Sequence, residues 1–121
     1  MKNYRPHKNL DLWKEAIELV VDLYKLVEKF PKSEEFGLKS QLKRAAVSVP
    51  SNVAEGLTRS TNPDKLRFLF IANGSLSEID TQIEIAYKLQ FITIDEKEKF
   101  EIRLIKVQKL LSGLIRNIKN K

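Results

Sequence analysis

Gln41-Leu-Lys-Arg-Ala-Ala-Val-Ser-Val-Pro-Ser-Asn-Val-Ala-Glu-Gly-Leu-Thr-Arg59 is the stretch on which the fold turns. Leu42, Ala46, Val49 and Val53 recur at helical spacing, so the segment reads as a helix. Pro50 sits inside it. A mid-helix proline removes the hydrogen bond to the Ala46 carbonyl and costs about 3 kcal/mol. The surrounding residues are small or polar: Ala45, Ala46, Ser48, Ser51, Asn52, Ala54 and Gly56. Small side chains let a second backbone come close, and Ser48, Ser51 and Asn52 have groups to offer carbonyls freed by the proline. The stretch therefore predicts a kinked, buried helix in the centre of a bundle.

A second stretch belongs with it, Arg67-Phe-Leu-Phe-Ile-Ala-Asn-Gly-Ser-Leu-Ser-Glu-Ile-Asp80. Leu69, Ala72, Leu76, Ile79, Ile83 and Ala86 step by three and four without a break. Gly74 and Ser75 interrupt an otherwise bulky helix, the glycine at a local cost of roughly 1 kcal/mol relative to alanine. A small notch on one helix facing a small notch on another accounts for both stretches. Gly74 is thus expected against the Ala45–Ala54 segment, where leucine in its place would overpack. A ligand pocket at the proline is the competing reading.

These residues resemble a known family, the small four-helix bundles encoded within intervening sequences of bacterial 23S ribosomal RNA genes. The resemblance rests on Phe30-Pro31, on Gln41 to Arg44, and on Ala45-Ala46-Val47-Ser48-Val49-Pro50-Ser51-Asn52-Val53-Ala54-Glu55-Gly56. It continues through Arg67-Phe68 to Ala72 and Gly74-Ser75-Leu76-Ser77-Glu78, and spans nearly the whole chain. It implies subunits assembled as pentameric rings. It also implies kinship with the accessory factor of diversity-generating retroelements, which binds a reverse transcriptase and nucleic acid. It brings no catalytic residues.

The composition agrees with a single all-α domain over residues 1–121. A chain of 121 residues supports one core and is short for two. There is no cysteine, which excludes disulfides and thiolate metal sites and suits a reducing cytoplasm. Met1 to Lys8 is polar and basic, so a frayed tail is expected there rather than a signal peptide. No apolar run approaches the roughly 18 residues of a membrane span. The net charge of +6 favours an acidic partner, nucleic acid foremost, with a merely solubilising surface as the alternative.

Taken in order, the first helix should start at a cap on Asn9 or Asp11 and run to about Lys29. It carries two adjacent apolar rows. One is Leu12, Ala16, Leu19, Leu23, Leu26 and Phe30; the other is Trp13, Ile17, Val20, Tyr24 and Val27. Together they exceed what one bundle partner covers, so the surplus fills a thick core or meets another subunit. Pro31 ends the helix and Ser33 is placed to cap the next, which should run to about Leu57 or Thr58. Asn62-Pro63-Asp64 reads as cap, N1 proline and first-turn acid of a third helix reaching Leu89. At Gln90, where the family the chain resembles often has glycine, that helix should end. Thr93-Ile94-Asp95-Glu96 reads as a capping box. The fourth helix should run to Ile118 on a seam of Phe100, Leu104, Val107, Leu111, Leu114 and Ile118, widened by Ile105, Leu110 and Ile115. Four helices joined by loops of a few residues predict an antiparallel up-down-up-down four-helix bundle.

Little chemistry is on offer. His7 is the single histidine and precedes the first helix, which argues against a core Ser-His-Asp triad and the Glu-x-x-His pairs of di-iron bundles. As a lone group it reads as solvated. No phosphate-binding glycine loop occurs, and no cofactor is expected. Glu55 and Glu78 are an imaginable carboxylate pair, but Glu55 more simply meets Arg59 one turn on. The chain reads as a protein without enzymatic activity.

Basic residues remain. Lys39, Lys43 and Arg44 lie on the second helix, Arg59, Lys65 and Arg67 around the following loop, and Lys106, Lys109 and Arg116 on a fourth helix that has no acid from Arg103 onward. The phenylalanines read as core, so contact with phosphates is expected rather than stacking on bases. A basic amphipathic helix can also lie on anionic membranes, but the seam of the fourth helix is better used inside the bundle. The sequence thus predicts a cytoplasmic homo-oligomer, a pentamer first, that holds RNA or DNA or a nucleic-acid-handling protein. A scaffold that binds a protein such as a reverse transcriptase through apolar faces is the alternative.

Overall fold

A computed structural model describes His7 and residues 10–121. The expected tail and the Asn9 cap otherwise lie outside the described residues. Within them the chain forms four helices: α1 (Asp11–Val27), α2 (Leu38–Leu57), α3 (Asn62–Lys88) and α4 (Ile94–Lys119), with a short 3₁₀ turn at Lys32–Glu34. Each helix packs on two others, α1 on α2, α2 on α3, α3 on α4 and α4 on α1, so the four enclose one core.

The helical stripes supply that core. The whole α3 stripe from Leu69 to Ala86 is sealed from solvent, as are Leu42, Ala46, Val49 and Val53 of α2. On α4 the seam is buried except at Leu114, which packs against its edge; Ile105 faces solvent instead of widening it. On α1 the first row is buried, with Leu26 at the margin. Of the second row only Val27 is fully buried. Trp13 and Val20 are only partly covered, and Tyr24 is 39% exposed.

Pro50 lies buried within a continuous α2. Its cost of about 3 kcal/mol is of the size that burying Val49 and Val53 offsets, at about 1.5–3 kcal/mol each. The polar neighbours act differently from expectation. The Asn52 amide donates to the carbonyl of Ser48, not to that of Ala46, and also to Ser48 Oγ, both at 2.8 Å. Ser75 Oγ of α3 donates to the same hydroxyl at 3.0 Å. Ser48 and Ser75 therefore link α2 to α3, and Asn52 braces Ser48 from within α2.

The small-residue contact between these helices is made by Gly56. A Cβ there would stand 3.1 Å from the Lys65 carbonyl oxygen and 3.2 Å from Phe68 Cβ. Gly74 does not face α2: it is exposed, and nothing lies within 4 Å of a Cβ built on it. Of the expected packing residues, Ala45, Ala46, Pro50 and Gly56 are buried, and Ser48, Asn52 and Ser75 are half-buried, while Glu55 and Gly74 face solvent. The helical spacing explains the miss. Leu69, Ala72 and Leu76 define the inward face, and Gly74 lies two residues short of Leu76, which turns it outward.

Helix boundaries show similar shifts. Leu10 occupies the N-cap of α1 without a side-chain bond, and Asp11 lies in the first turn, where the positive end of the helix favours an acid. Ser33 is absorbed into the 3₁₀ turn, and Glu34 Oε1 accepts from the Leu38 N–H at 3.0 Å, so α2 begins later than Ser33 predicts. Thr61 rather than Asn62 caps α3, accepting from the Asp64 N–H. The Thr93–Glu96 capping box forms in both directions.

At the end of α3, Gln90 takes a φ of 65°. Phe91 N–H reaches the Ala86 carbonyl and Gln90 N–H that of Tyr87, each at 2.9 Å, the pair of bonds that closes a Schellman motif. The Phe91 ring then packs on Phe30, with centroids 5.4 Å apart. Left-handed backbone at a residue with a Cβ is costly, and glycine adopts it freely. Gln90→Gly is expected to stabilise the fold by about 1 kcal/mol, read as a higher midpoint in urea unfolding. A lower midpoint would show that the glutamine side chain contributes more than its backbone costs.

Candidate nucleic-acid interface

The turn from α2 into α3 places two arginines on one aromatic ring. Thr58 ends α2 by returning its hydroxyl to the Glu55 carbonyl, which positions Arg59 just beyond. Arg59 bonds Glu55 Oε1 at 2.8 Å, as the spacing of four predicts, and its guanidinium lies 4.6 Å from the centroid of Phe68. Arg67 lies 4.8 Å from the same centroid. Lys65 stands beside them, its carbonyl oxygen facing Gly56. The last turn of α4 joins this region: Lys119 Nζ is 5.2 Å from the ring centroid of Phe70, which is 47% exposed.

The expectation that the phenylalanines belong to the core, with little aromatic interleaving among the cations, is therefore corrected. Phe30 and Phe100 do build the core, but Phe36 is 96% exposed, and Phe68 and Phe70 sit under basic groups. The signal for Phe70 was present in the sequence. It lies one residue past Leu69, off the buried stripe. Lys119 was missed as a site residue because only folding brings it to Phe70.

The nine basic residues singled out in the sequence do not form one surface. Lys39 is tied to Glu35 at 3.1 Å with its side chain only 14% exposed. Lys43 sits over Tyr24 of α1, 4.6 Å from the ring centroid, and Arg44 is exposed nearby on α2. Lys106 is held by Glu15 at 3.2 Å. Arg67, Lys109 and Arg116 are exposed and make no ion pair among the described residues.

Arg103 forks between Glu15 at 3.2 Å and Asp22 at 2.6 Å, clamping α4 to α1. The hydrogen bond from Lys106, opposed by desolvation and reinforced by the charges of Lys106 and Arg103, holds the Glu15 carboxyl below its ordinary value. Partly exposed pairs of this kind contribute up to about 1 kcal/mol. Their larger consequence here is to remove Arg103 and Lys106 from the cations that face solvent uncompensated.

His7 is half-buried rather than fully solvated. Its ring meets Trp13 edge-on at 5.1 Å, and its Nδ1 is buried with no hydrogen-bond partner among the described residues. It helps line an apolar groove of about 370 Å³ between α1 and α2, with Trp13, Ile17, Val20, Val21, Val47, Pro50 and Ala54. The second row of α1 borders this groove. Among the described residues no group of three His, Asp or Glu side chains is placed to hold a metal ion, and no helix is long and apolar enough to cross a membrane.

A four-helix bundle that brings cations and aromatic rings together at the α2–α3 turn and the end of α4 is the class of protein these residues define. The chain belongs to the 23S rRNA-intervening sequence protein family, which it matches over residues 8–113. It is also similar in fold to a solved structure of a protein of unknown function from the S23 ribosomal protein family of Bacteroides thetaiotaomicron. The two share 23% identity and superpose with a TM-score of 0.76 over 86% of this chain and 97% of that one. Among curated proteins, none matches the chain.

Proposed function

We propose that this protein is a cytoplasmic, non-enzymatic, oligomeric nucleic-acid-binding bundle that contacts the phosphate backbone through cations of α3 and α4. One observation carries the reading. Arg67, Lys109 and Arg116 are exposed and make no ion pair among the described residues, while acids on α1 neutralise Arg103 and Lys106 of α4. Cations left uncompensated in this way are what a polyphosphate chain recruits. An antiparallel up-down-up-down course for the four helices fits the contacts of α2 with α3, where Gly56 meets Leu69, Ser48 meets Ser75 and Gln41 meets Gln82.

The subunits are proposed to form a ring, with the apolar groove between α1 and α2 as the face that joins them. A ring repeats each modest patch around an axis, so that several weak phosphate contacts act together. The apolar groove also supports a second reading, in which the protein is a scaffold for a protein partner such as a nucleic-acid-handling enzyme. Salt separates the two. Mixed-sequence RNA or DNA should bind at low salt and dissociate steeply as salt rises, followed by fluorescence anisotropy. No anisotropy change with either nucleic acid at low salt would reduce the basic surface to a solubility feature and leave the scaffold reading in its place. Light scattering should return a multiple of the 14.0 kDa subunit; a monomer would remove the ring.

A further inference from the structure

Bundle packing leaves Phe70 and Gly74 without a role. Leu69 is fully buried, yet the next residue, Phe70, is 47% exposed. Arg67 precedes it by three residues and Gly74 follows by four, so both are its neighbours on the helix surface. Arg67 is exposed, its guanidinium resting on the neighbouring Phe68 ring, and Lys119 Nζ lies 5.2 Å from the Phe70 ring centroid. No close approach requires a glycine at 74, since nothing lies within 4 Å of a Cβ built there. Glycine nevertheless weakens a helix interior. Side chains on a helix lean back over the preceding turn, so any larger residue at 74 would lie toward Phe70. Glycine keeps that side of the ring open.

We propose that Phe70, flanked by Arg67 and Lys119 and left open by Gly74, is a stacking site for an unpaired base of a single-stranded nucleic acid. This rests on the nucleic-acid reading above and narrows its ligand. In a duplex both faces of every base except those at the two ends are covered by its neighbours, and a ring on the convex surface of a helix has no access to them. A single strand can turn a base outward onto such a ring while its phosphates meet the adjacent cations. The Lys119 ammonium sits on a flexible stem and exchanges the ring for a phosphate when the base arrives.

The test compares a single-stranded RNA of about 12 nucleotides with the blunt duplex of the same sequence, both at low salt, by fluorescence anisotropy. The single strand should bind more tightly. Phe70→Leu should weaken the single strand about 10-fold and leave the duplex unchanged. The salt slope should stay constant, because no cation has been removed. Gly74→Leu should cause the same selective loss while the melting temperature holds or rises, which separates a covered ring from a damaged fold. Circular dichroism checks that both variants keep their helices.

Equal losses on the two ligands, or no loss, would overturn the stacking site. A change of particle mass in either variant by light scattering would overturn it too, by showing that another copy covers this face. If the unaltered protein binds both forms equally, this inference alone fails. If it binds neither, the nucleic-acid reading falls and takes this inference with it.

Discussion

Gly56→Leu is expected to destabilise the protein by about 3 kcal/mol, enough to remove a large part of the stability of a domain this size. The first carbon of the new side chain would stand 3.1 Å from the backbone oxygen of Lys65 and 3.2 Å from Phe68 Cβ. Neither atom is the free end of a flexible chain. Relief requires α3 to move away from α2 at Gly56, and α2–α3 is the most extensive helix interface among the described residues. Gly74→Ala is the internal control. It lies on the open face of α3, where alanine improves helix propensity by about 0.5–1 kcal/mol and meets nothing. Urea unfolding of the two variants should therefore give shifts of opposite sign. Shifts of the same sign would mean that α2 and α3 are not pressed together at Gly56.

The second large effect is on binding. Arg67, Lys109 and Arg116 changed together to glutamate should lower low-salt affinity for nucleic acid by about 100-fold or more. The plot of log affinity against log salt should flatten by about 2–3, the size set by losing three phosphate contacts. Stability should change little, because all three are exposed and make no ion pair among the described residues, and the exposed contact of Arg67 with Phe68 is worth only about 0.5–1 kcal/mol. Changing Lys39, Lys43 and Arg44 together should do less. Lys39 is tied to Glu35 and Lys43 already covers Tyr24, so fewer of these charges are available to a phosphate. If the second triple has the greater effect, the interface lies on α2 and the assignment to α3 and α4 is wrong.

The fold was legible because its signals are local. The stripes of α3 and α4 repeat every three or four residues, and Thr93 and Glu96 sit at the spacing a capping box needs, so each element declares itself within a few turns. Gln90 was legible as a helix end through its neighbours, though the left-handed backbone it adopts is not a glutamine preference. What stayed hidden depends on rotation about a helix axis or on distant parts of the chain. Gly56 and Gly74 look alike as letters, and only the phase of each helix turns one inward and the other out. Lys119 and Phe70 are brought together by α4 lying on α3. The pairing of Lys106 with Glu15 likewise decides which cations remain available, and neither helix reveals it alone.

The polar contacts between α2 and α3 bear on which arrangement of the helices the chain selects. Leucine, isoleucine and valine stripes grip one another almost equally well after a slide of one helical turn, about 5.4 Å. The Ser48 and Ser75 hydroxyls do not, because they meet only when Ser48 stands opposite Ser75. Gln82 is buried and meets Gln41 farther along the same pair of helices. A slip by one turn would break both contacts at once and leave the amide of the buried Gln82 without its Gln41 partner, and a buried polar group without a partner costs about 1–3 kcal/mol. Two separated polar contacts along one apolar seam therefore act as a register lock: the hydrophobic stripes supply the attraction, and the hydroxyls and amides decide the single alignment in which it is used.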